Sequence, residues 1–364
     1  MQARARTPIF SLVSFLCLLL LIQVAALGAP PKALRRTQIL GLLAGGVANE
    51  RITTLVKERG IDFWPTPKYL QELREAGADR TLLAAVRSSQ SNRTGTTAAP
   101  MAGEHNEIAE SCLTAGARLL RRRRYTEAER RLRAGLQVAP DDPNLRFALA
   151  HALSEEGKWS EAAAEYRATL RADPNDPFAT NNLAIAMDKA GSVDAAIGEY
   201  RQALSVEPSS ATIHNNLGLA LQKKGDLDGA IAEFRKATQN DPRDAHAHNN
   251  LGFALQQKGE LDEALREYGT ALRLDHGCCQ AQYNIATVLE LKGDLNGAEA
   301  GFQRAVAERP DDARAHYGLG TVLERKGDYQ GALQQYQQAH QLDPGDEKIE
   351  AAFTKIQERV RSAR

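Results

Sequence analysis

The 364-residue sequence has little of several features that mark common protein classes. Aromatic residues make up 5% of the chain, four residues are cysteine, and Lys plus Arg equals Asp plus Glu at 46 each. So few cysteines exclude a disulfide-stapled scaffold, and the charge balance argues against a dedicated nucleic-acid binder, which usually has a basic surplus. The low aromatic content indicates a core of small residues, while 43% apolar residues exclude a disordered chain of low hydrophobicity.

Catalytic and metal-binding motifs are also lacking. The sequence contains no phosphate-binding GxxxxGKS/T loop, no HExxH, no GxSxG and no CxxC. His276, Cys278 and Cys279 have metal-ligand chemistry, but zinc sites need four ligands at defined spacings and no second pair follows. We therefore predict a protein that is not an enzyme and needs neither a cofactor nor a metal. The alternatives are an accessory subunit of an enzyme, or unrecognised chemistry in residues 33–89.

The first 28 residues have the pattern of a secretory signal peptide. Arg4 and Arg6 precede an apolar run over residues 9–22, and small residues follow up to Ala26 and Gly28. We predict cleavage after Ala26 or Gly28 and an exported protein, periplasmic or secreted. The same segment is about long enough to span a bilayer. The alternative is therefore an uncleaved anchor and a membrane-tethered assembly scaffold, and membrane contact is expected only in that case.

Residues 33–89 predict a small helical module. Thr66–Pro67 predicts a capped helix start, Gly77 the end of that helix, and Asp79 the cap of the next one. An earlier helix is predicted near residues 50–58 from its apolar spacing. Three apolar residues are expected to pack between these helices, namely Ile61, Phe63 and Trp64.

Residues 90–108 are rich in small and polar residues and predict a flexible linker. The chain after them repeats itself every 34 residues, in seven repeats over residues 109–346. Proline ends most repeats, and alanine, glycine and a bulky residue recur within them. The alanines are Ala128, Ala162, Ala196, Ala230, Ala264, Ala298 and Ala332, the glycines Gly157, Gly191, Gly225, Gly259, Gly293 and Gly327, and the bulky residues Leu132, Tyr166, Tyr200, Phe234, Tyr268, Phe302 and Tyr336.

This pattern resembles the tetratricopeptide repeat family. Repeat 4 shows its elements in order, with Leu217–Gly218, Gly225, Ala230, Phe234 and a closing Pro242. The resemblance implies an all-α fold, a right-handed superhelical solenoid of helix-turn-helix repeats. One helical hairpin cannot bury its apolar face alone, so neighbouring repeats must stack. Residues 347–364 predict a capping helix at the C-terminal end, with an apolar stripe of Ile349, Phe353, Ile356 and Val360.

One face of the first helix in each repeat is a candidate binding surface. With 100° per residue, positions 6 and 9 lie opposite the core-facing positions 4, 7, 8 and 11. Position 6 holds Asn182, Asn216, Asn250 and Asn284, and position 9 holds Ile185, Leu219 and Phe253. In tetratricopeptide proteins this side lines the concave groove. The asparagine file is similar to the one in the repeat domain of O-linked N-acetylglucosamine transferases, which holds substrate peptide.

The resemblance and the asparagine file predict a non-catalytic scaffold or adaptor. We expect an extended peptide or a partner protein to bind in the concave groove, because an Asn side chain can donate to and accept from any peptide backbone. The alternative is that these asparagines only pack locally. Position 5 holds weaker candidates, Asn181, Asn215 and Asn249. Histidines at position 4 are predicted to pack in the core, namely His214, His248 and His316.

Repeat 1 is locally basic. Its arginines are Arg118, Arg121, Arg122, Arg123, Arg124, Arg130, Arg131 and Arg133. An anionic partner would suit them, but a solvated outer face of a terminal repeat is the favoured interpretation. Nucleic acid is an unlikely partner because only Tyr125 lies among these arginines to stack on bases.

Overall fold

The computed structural model describes residues 33–63, 65–89, 104–275 and 279–362. These ranges contain nineteen helices and no β-strand, apart from an isolated parallel bridge between Leu34 and Ile61. The predicted all-α fold is therefore confirmed. The predicted leader, Trp64, His276 and Cys278 lie outside the described residues, as does the side chain of Cys279. None of the described helices combines the length and the apolar composition that crossing a bilayer requires.

The chain divides into two compact units, with the boundary in the sequence between Ala172 and Asp173. The described part of the first unit contains eight helices: α1 (Arg36–Ala44), α2 (Asn49–Arg59), α3 (Pro67–Ala76), α4 (Arg80–Ser88), α5 (Glu104–Arg121), α6 (Tyr125–Val138), α7 (Pro143–Glu155) and α8 (Trp159–Leu170). Helix α5 begins at Glu104, inside the stretch predicted as a linker. The two helices of repeat 1 are α5 and α6, and those of repeat 2 are α7 and α8. Helix α5 packs on α6, α6 on α7 and α7 on α8.

Helices α3 and α4 begin where capping residues predicted them. The hydroxyl of Thr66 accepts a hydrogen bond from the Tyr69 N–H at 3.2 Å, and α3 ends at Gly77 with a φ of 113°. The Asp79 carboxylate accepts from the Leu82 N–H at 2.8 Å. Each cap satisfies a backbone N–H that the first turn of the helix leaves unpaired, which typically stabilises the helix by about 1 kcal/mol.

Two of the three apolar residues expected between the early helices pack there. Helix α2 is the helix predicted near residues 50–58, and Ile61 after it is fully buried. The ring of Phe63 meets that of Tyr69 edge to face, with 5.0 Å between the centroids. These contacts close the small core of residues 33–89.

Helix α1 was not predicted, and it packs on α5 and α7 of the first two repeats. Its Arg36 forms ion pairs with Glu72 of α3 at 2.5 Å and with Glu110 of α5 at 2.8 Å. The Tyr69 hydroxyl donates to the Arg36 carbonyl at 2.8 Å. Burial raises the pKa of Glu110, although the Arg36 guanidinium opposes this rise. Arg36 therefore ties the early helices to repeat 1.

The second unit continues the hairpins. Its described helices are α9 (Pro177–Lys189), α10 (Val193–Val206), α11 (Ala211–Lys224), α12 (Leu227–Asn240), α13 (Ala245–Lys258), α14 (Leu261–Leu274), α15 (Cys279–Leu291), α16 (Leu295–Glu308), α17 (Ala313–Lys326), α18 (Tyr329–Leu342) and α19 (Glu347–Ser362). Within this unit each helix packs on its successor, and the first helices of neighbouring repeats also touch. This is the stacking that the repeat pattern predicts.

Repeat 4 shows in detail how a hairpin of this unit is closed. In repeat 4, Gly225 ends α11 with a φ of 90°, and the Asp226 carboxylate accepts from the Gly229 N–H to start α12. Ala230 and Phe234 of α12 are fully buried, and a Cβ on Gly218 of α11 would lie 2.6 Å from the Phe234 ring. The two helices can therefore approach closely only because position 8 has no side chain, and burying one such ring contributes about 2 kcal/mol.

Lysines join each hairpin to the preceding one along the surface. Lys224 at the end of α11 pairs with Asp194 at the start of α10 at 2.5 Å, and Lys258 pairs with Asp228 at 2.8 Å. Lys292 makes the same contact one repeat later. These pairs are exposed to water, so each contributes little to stability. In each pair the two residues are 30 positions apart in the sequence, so all three pairs favour the same alignment of one repeat on the next.

Helix α19 packs on α18, the second helix of the last hairpin. Ile349, Ile356 and Val360 are buried, and Phe353 stacks on His340 with 5.4 Å between the ring centroids. Some of its basic residues form ion pairs with an earlier helix. Among them, Lys355 reaches the Glu324 carboxylate at 3.2 Å.

Candidate functional site

The first helix of repeat 4 separates a buried side from an exposed one. In α11, His214, Leu217 and Leu221 are buried, as their positions predict. On the other side Asn216 is half-buried and Leu219 is 42% exposed. In repeat 5, Phe253 is 41% exposed in the same way. The large apolar side chains at position 9 therefore meet water rather than the core of the repeat.

We call the surface formed by the predicted site residues the asparagine face. Its members are Asn182, Asn216, Asn250 and Asn284 at position 6, and Ile185, Leu219 and Phe253 at position 9. Ile185 is half-buried and Asn284 is 7% exposed, so the face is most open at repeats 4 and 5. All of these residues belong to the second unit.

Three asparagines of the face bind a position 5 asparagine of the preceding repeat. The Asn216 Nδ2 donates to the Asn181 Oδ1 at 3.1 Å, and the Asn250 Nδ2 donates to the Asn215 Oδ1 at 3.0 Å. Asn284 donates to Asn249 in the same way at 3.2 Å. Position 6 of each repeat thus binds position 5 of the repeat before it. Sequence analysis ranked the position 5 residues as weak candidates and missed this pairing.

The pairing leaves part of the hydrogen-bonding capacity of the face unused. An Asn side chain has two N–H donors and an oxygen acceptor. For Asn216 and Asn250, the described residues supply a partner for one N–H each and none for the Oδ1. The repeated Asn-Asn dipeptide could have signalled the pairing, because both residues recur every 34 positions in repeats 3 to 5. The asparagines therefore join repeats and still present polar atoms beside an apolar strip.

The same helix face is already covered in repeat 2. Helix α1 lies against α7, where a Cβ on Gly41 would lie 2.7 Å from the Asn144 Oδ1, and one on Gly45 would lie 1.9 Å from the Phe147 ring. Gly46 lies against His151 at position 9. Phe147 is only 4% exposed. In repeat 2, protein thus occupies positions 2, 5 and 9 of the first helix, whereas Leu219 and Phe253 expose position 9 in repeats 4 and 5.

Polar side chains border the asparagine face at the ends of its helices. The Lys223 ammonium pairs with the Asp188 carboxylate at 2.9 Å, and the Gln222 Nε2 donates to the Gln257 Oε1 at 2.7 Å. Both bonds join neighbouring repeats. The arrangement is an apolar strip with a polar rim, which is common in protein interfaces.

The position 4 histidines do more than fill the core. His214 is buried, and its Nδ1 lies 2.6 Å from the Glu233 carboxylate of the second helix. His248 makes the same contact with Glu267 at 2.6 Å. The hydrogen bond to Glu267 raises the pKa of His248, while burial opposes the rise. In His316 the partner is the neutral Gln335, 2.8 Å away. The packing prediction is confirmed for His214 and His316, which are buried, and the contacts with the second helix are an addition to it.

The described residues offer little for metal or catalytic chemistry. Among them, no group of three or more His, Cys, Asp or Glu side chains could hold a metal ion. Cys112 is a buried free thiol. The structure brings the asparagines and the apolar side chains of the candidate face together, and no other predicted site residue joins them.

The sequence of the repeats matches a known family. The family model described as the C-terminal domain of cilia and flagella-associated protein 70 matches residues 124–356, which is more than half of the chain. Comparison with curated proteins finds no match.

Solved structures with the same fold are tetratricopeptide and pilus-related proteins. A tetratricopeptide repeat protein from Parabacteroides merdae is 16% identical, with a TM-score of 0.55, over 69% of this chain and 99% of that one. PilF from Pseudomonas aeruginosa is 20% identical, with a TM-score of 0.52, over 60% and 97% of the two chains. PilW, described as a type IV pilus biogenesis factor, is 24% identical, with a TM-score of 0.53, over 57% and 97%. At these identities the likeness shows the fold alone.

Proposed function

We propose that this chain is a scaffold that binds a partner protein on the asparagine face. The chain belongs to the tetratricopeptide repeat family of the C-terminal domain of cilia and flagella-associated protein 70. The family fold is a protein-interaction fold, and function is argued from the site rather than from the fold. The site is the strip of Leu219 and Phe253 beside Asn216 and Asn250. The proposed work is binding, and no catalytic step is assigned.

The observation that carries this proposal is the position of helix α1. It covers Asn144, Phe147 and His151 on the first helix of repeat 2. The corresponding helices of repeats 4 and 5 expose an apolar side chain at position 9 in place of His151. In repeat 2, this face of the first helix contacts another helix of the same chain. In repeats 4 and 5, the corresponding face is suited to a segment of another protein.

We propose an extended peptide as the ligand. The Oδ1 atoms of Asn216 and Asn250 can accept from the backbone N–H groups of an extended segment whatever its sequence. Leu219 and Phe253 would contact its apolar side chains and provide most of the affinity, because buried aromatic and aliphatic anchors dominate interfaces.

Site-specific cross-linking tests the location. A photoreactive phenylalanine analogue replaces Phe253 in the full chain, and mass spectrometry identifies the partner segment it captures in cells of the source. The matched control carries the same analogue at Leu274, which is equally exposed at the end of the second helix of repeat 5. Capture at Leu274 but not at Phe253 would refute the proposed face.

The captured segment, as a synthetic peptide, then gives the energetic test. Leu219→Gln with Phe253→Gln should weaken its binding to the full chain by roughly tenfold or more, measured by fluorescence anisotropy. The control is Val206→Gln with Leu274→Gln, two exposed apolar side chains outside the face. Asn variants are less suitable, since they also remove hydrogen bonds between repeats. Equal losses in both pairs would argue for non-specific apolar binding.

We also propose export, on the basic and apolar pattern of residues 1–28. The N-terminal sequence of the protein recovered from its source tests this directly. A start at Leu27 or Ala29 supports a cleaved leader, and an intact Met1 in a membrane fraction supports the tethered alternative.

A further inference from the structure

A cleft in the first unit concentrates positive charge. It has a volume of about 600 Å³ and lies between α3 and the C-terminal end of α5. Its lining residues are Gln71, Arg74, Glu75, Arg118, Arg121 and Arg122. Four guanidinium groups thus face a single carboxylate. The cleft is built jointly by the early helices and repeat 1, so it does not belong to the repeat pattern.

Most of this charge has no negative partner. The Arg118 Nη2 pairs with the Glu75 Oε2 at 2.5 Å. The Arg121 Nη1 donates instead to the Arg74 carbonyl at 3.1 Å, and Arg74 donates to the neutral Gln71 at 3.0 Å. In the part of the chain that the structure describes, no carboxylate forms an ion pair with Arg74, Arg121 or Arg122.

The backbone beside the cleft also keeps an arginine where the fold favours glycine. Arg123 has a φ of 56°, the only positive φ of a non-glycine residue in the described ranges. The other six repeats have glycine at this turn, with φ from 74° in Gly157 to 90° in Gly225. A side chain in this conformation costs about 1 kcal/mol. The run of four arginines in repeat 1 thus includes one residue, Arg123, with a strained backbone conformation.

We propose that this cleft binds a small anion with two or more negative charges, of the phosphate-ester or diphosphate class. Guanidinium groups bind phosphate oxygens through paired N–H donors, and several converging arginines favour a multiply charged ligand over a single carboxylate. Arg121 and Arg122 supply the uncompensated charge. The site is independent of the asparagine face, so failure of one proposal leaves the other standing.

Calorimetric titration of the full chain with pyrophosphate, at constant ionic strength, tests the site. Wild type should give one saturable site, and Arg121→Gln with Arg122→Gln should weaken it by at least roughly tenfold. The matched control is Arg171→Gln with Arg243→Gln, two exposed arginines outside the cleft. This control should bind pyrophosphate as wild type does.

A third variant tests whether the charge of the cleft, rather than its structure, determines the affinity for pyrophosphate. Glu75→Gln removes the one carboxylate and frees Arg118, so it should bind pyrophosphate several-fold more tightly. A merely structural role of Glu75 would not increase affinity. Thermal unfolding verifies that each variant folds. If the double variant does not fold, the single variant Arg122→Gln is used in its place.

Three results with pyrophosphate would overturn the proposal. They are no saturable heat up to about 10 mM pyrophosphate, equal affinity of the cleft variant and its control, and weaker binding by Glu75→Gln. Binding to vesicles that contain phosphatidic acid without any binding of pyrophosphate would also overturn it, since that result indicates a membrane surface.

Discussion

At the scale of single residues, close contacts repeat at fixed positions of the 34-residue period. Gly218 illustrates them, because its missing side chain lets α11 approach the buried ring of Phe234. Gly198 lies inside α10 with no atom within 4 Å of a would-be Cβ. These two helical glycines thus differ in their surroundings rather than in their backbone.

Gly218→Ala should destabilise the protein and Gly198→Ala should stabilise it. Alanine favours a helix over glycine by about 1 kcal/mol. At Gly198 nothing opposes this gain, so the free energy of unfolding should rise by up to about 1 kcal/mol. At Gly218 overpacking against Phe234 costs about 1–3 kcal/mol and should outweigh it. Urea unfolding of the two variants measures both, and a stabilised Gly218→Ala would mean that the Phe234 ring can move aside.

At the scale of elements, the His–Glu contact joins the two helices of a hairpin. His248 of α13 faces Glu267 of α14, with Asp244 nearby raising the pKa of His248 slightly further. Because this pKa is raised in the folded state, the contact contributes fully below about pH 6.5. Its contribution is lost as the pH rises through the folded-state pKa.

His248→Gln should therefore flatten the pH dependence of stability. The free energy of unfolding of the wild type should fall as the pH rises above about 6.5, and that of the variant should fall less. The control is His246→Gln, since His246 is exposed on the same helix. Urea unfolding across this pH range measures the slopes. Parallel slopes for wild type and His248→Gln would contradict the prediction.

How much of each element could be predicted depends on how local its cause is. The starts of α3 and α4 follow from Thr66 and Asp79, which act within one turn. Helix α1 lacks such a cap, and the oxygen that accepts from the Arg35 N–H belongs to Gln38, inside the helix. Its position against Phe147 depends on contacts about a hundred residues away, which no local pattern encodes. The Asn216–Asn181 bond also joins distant residues, but the Asn-Asn dipeptide that recurs every 34 positions could have predicted it.

At the scale of the whole molecule, the second unit is held by contacts between neighbours. Asn250 joins α13 to α11, and Lys258 joins the same repeats at the surface. In such an array, stability is close to a sum of repeat and nearest-neighbour terms. A lost contact should therefore be felt locally.

Asn250→Ala should loosen repeats 4 and 5 while leaving the C-terminal ones unchanged. It removes one hydrogen bond between repeats and costs about 1 kcal/mol. Hydrogen exchange should speed up in α11 to α14 and stay the same in α17 to α19. Arg243→Gln, an exposed change in repeat 4, is the control. Equally faster exchange along the whole second unit would show that it opens as a single cooperative body.

The bonds between repeats also bear on how an array of this kind can change its length. The asparagine bonds span 35 residues and the lysine pairs 30, at every step where they occur. Excising residues 211–244 would bring Asn250 opposite Asn181 and Lys258 opposite Asp194, the same pairs of residue types as before. Duplicating those residues would preserve every bond equally. Gene duplication or loss of one repeat can thus lengthen or shorten the array without any further substitution at these asparagine and lysine contacts.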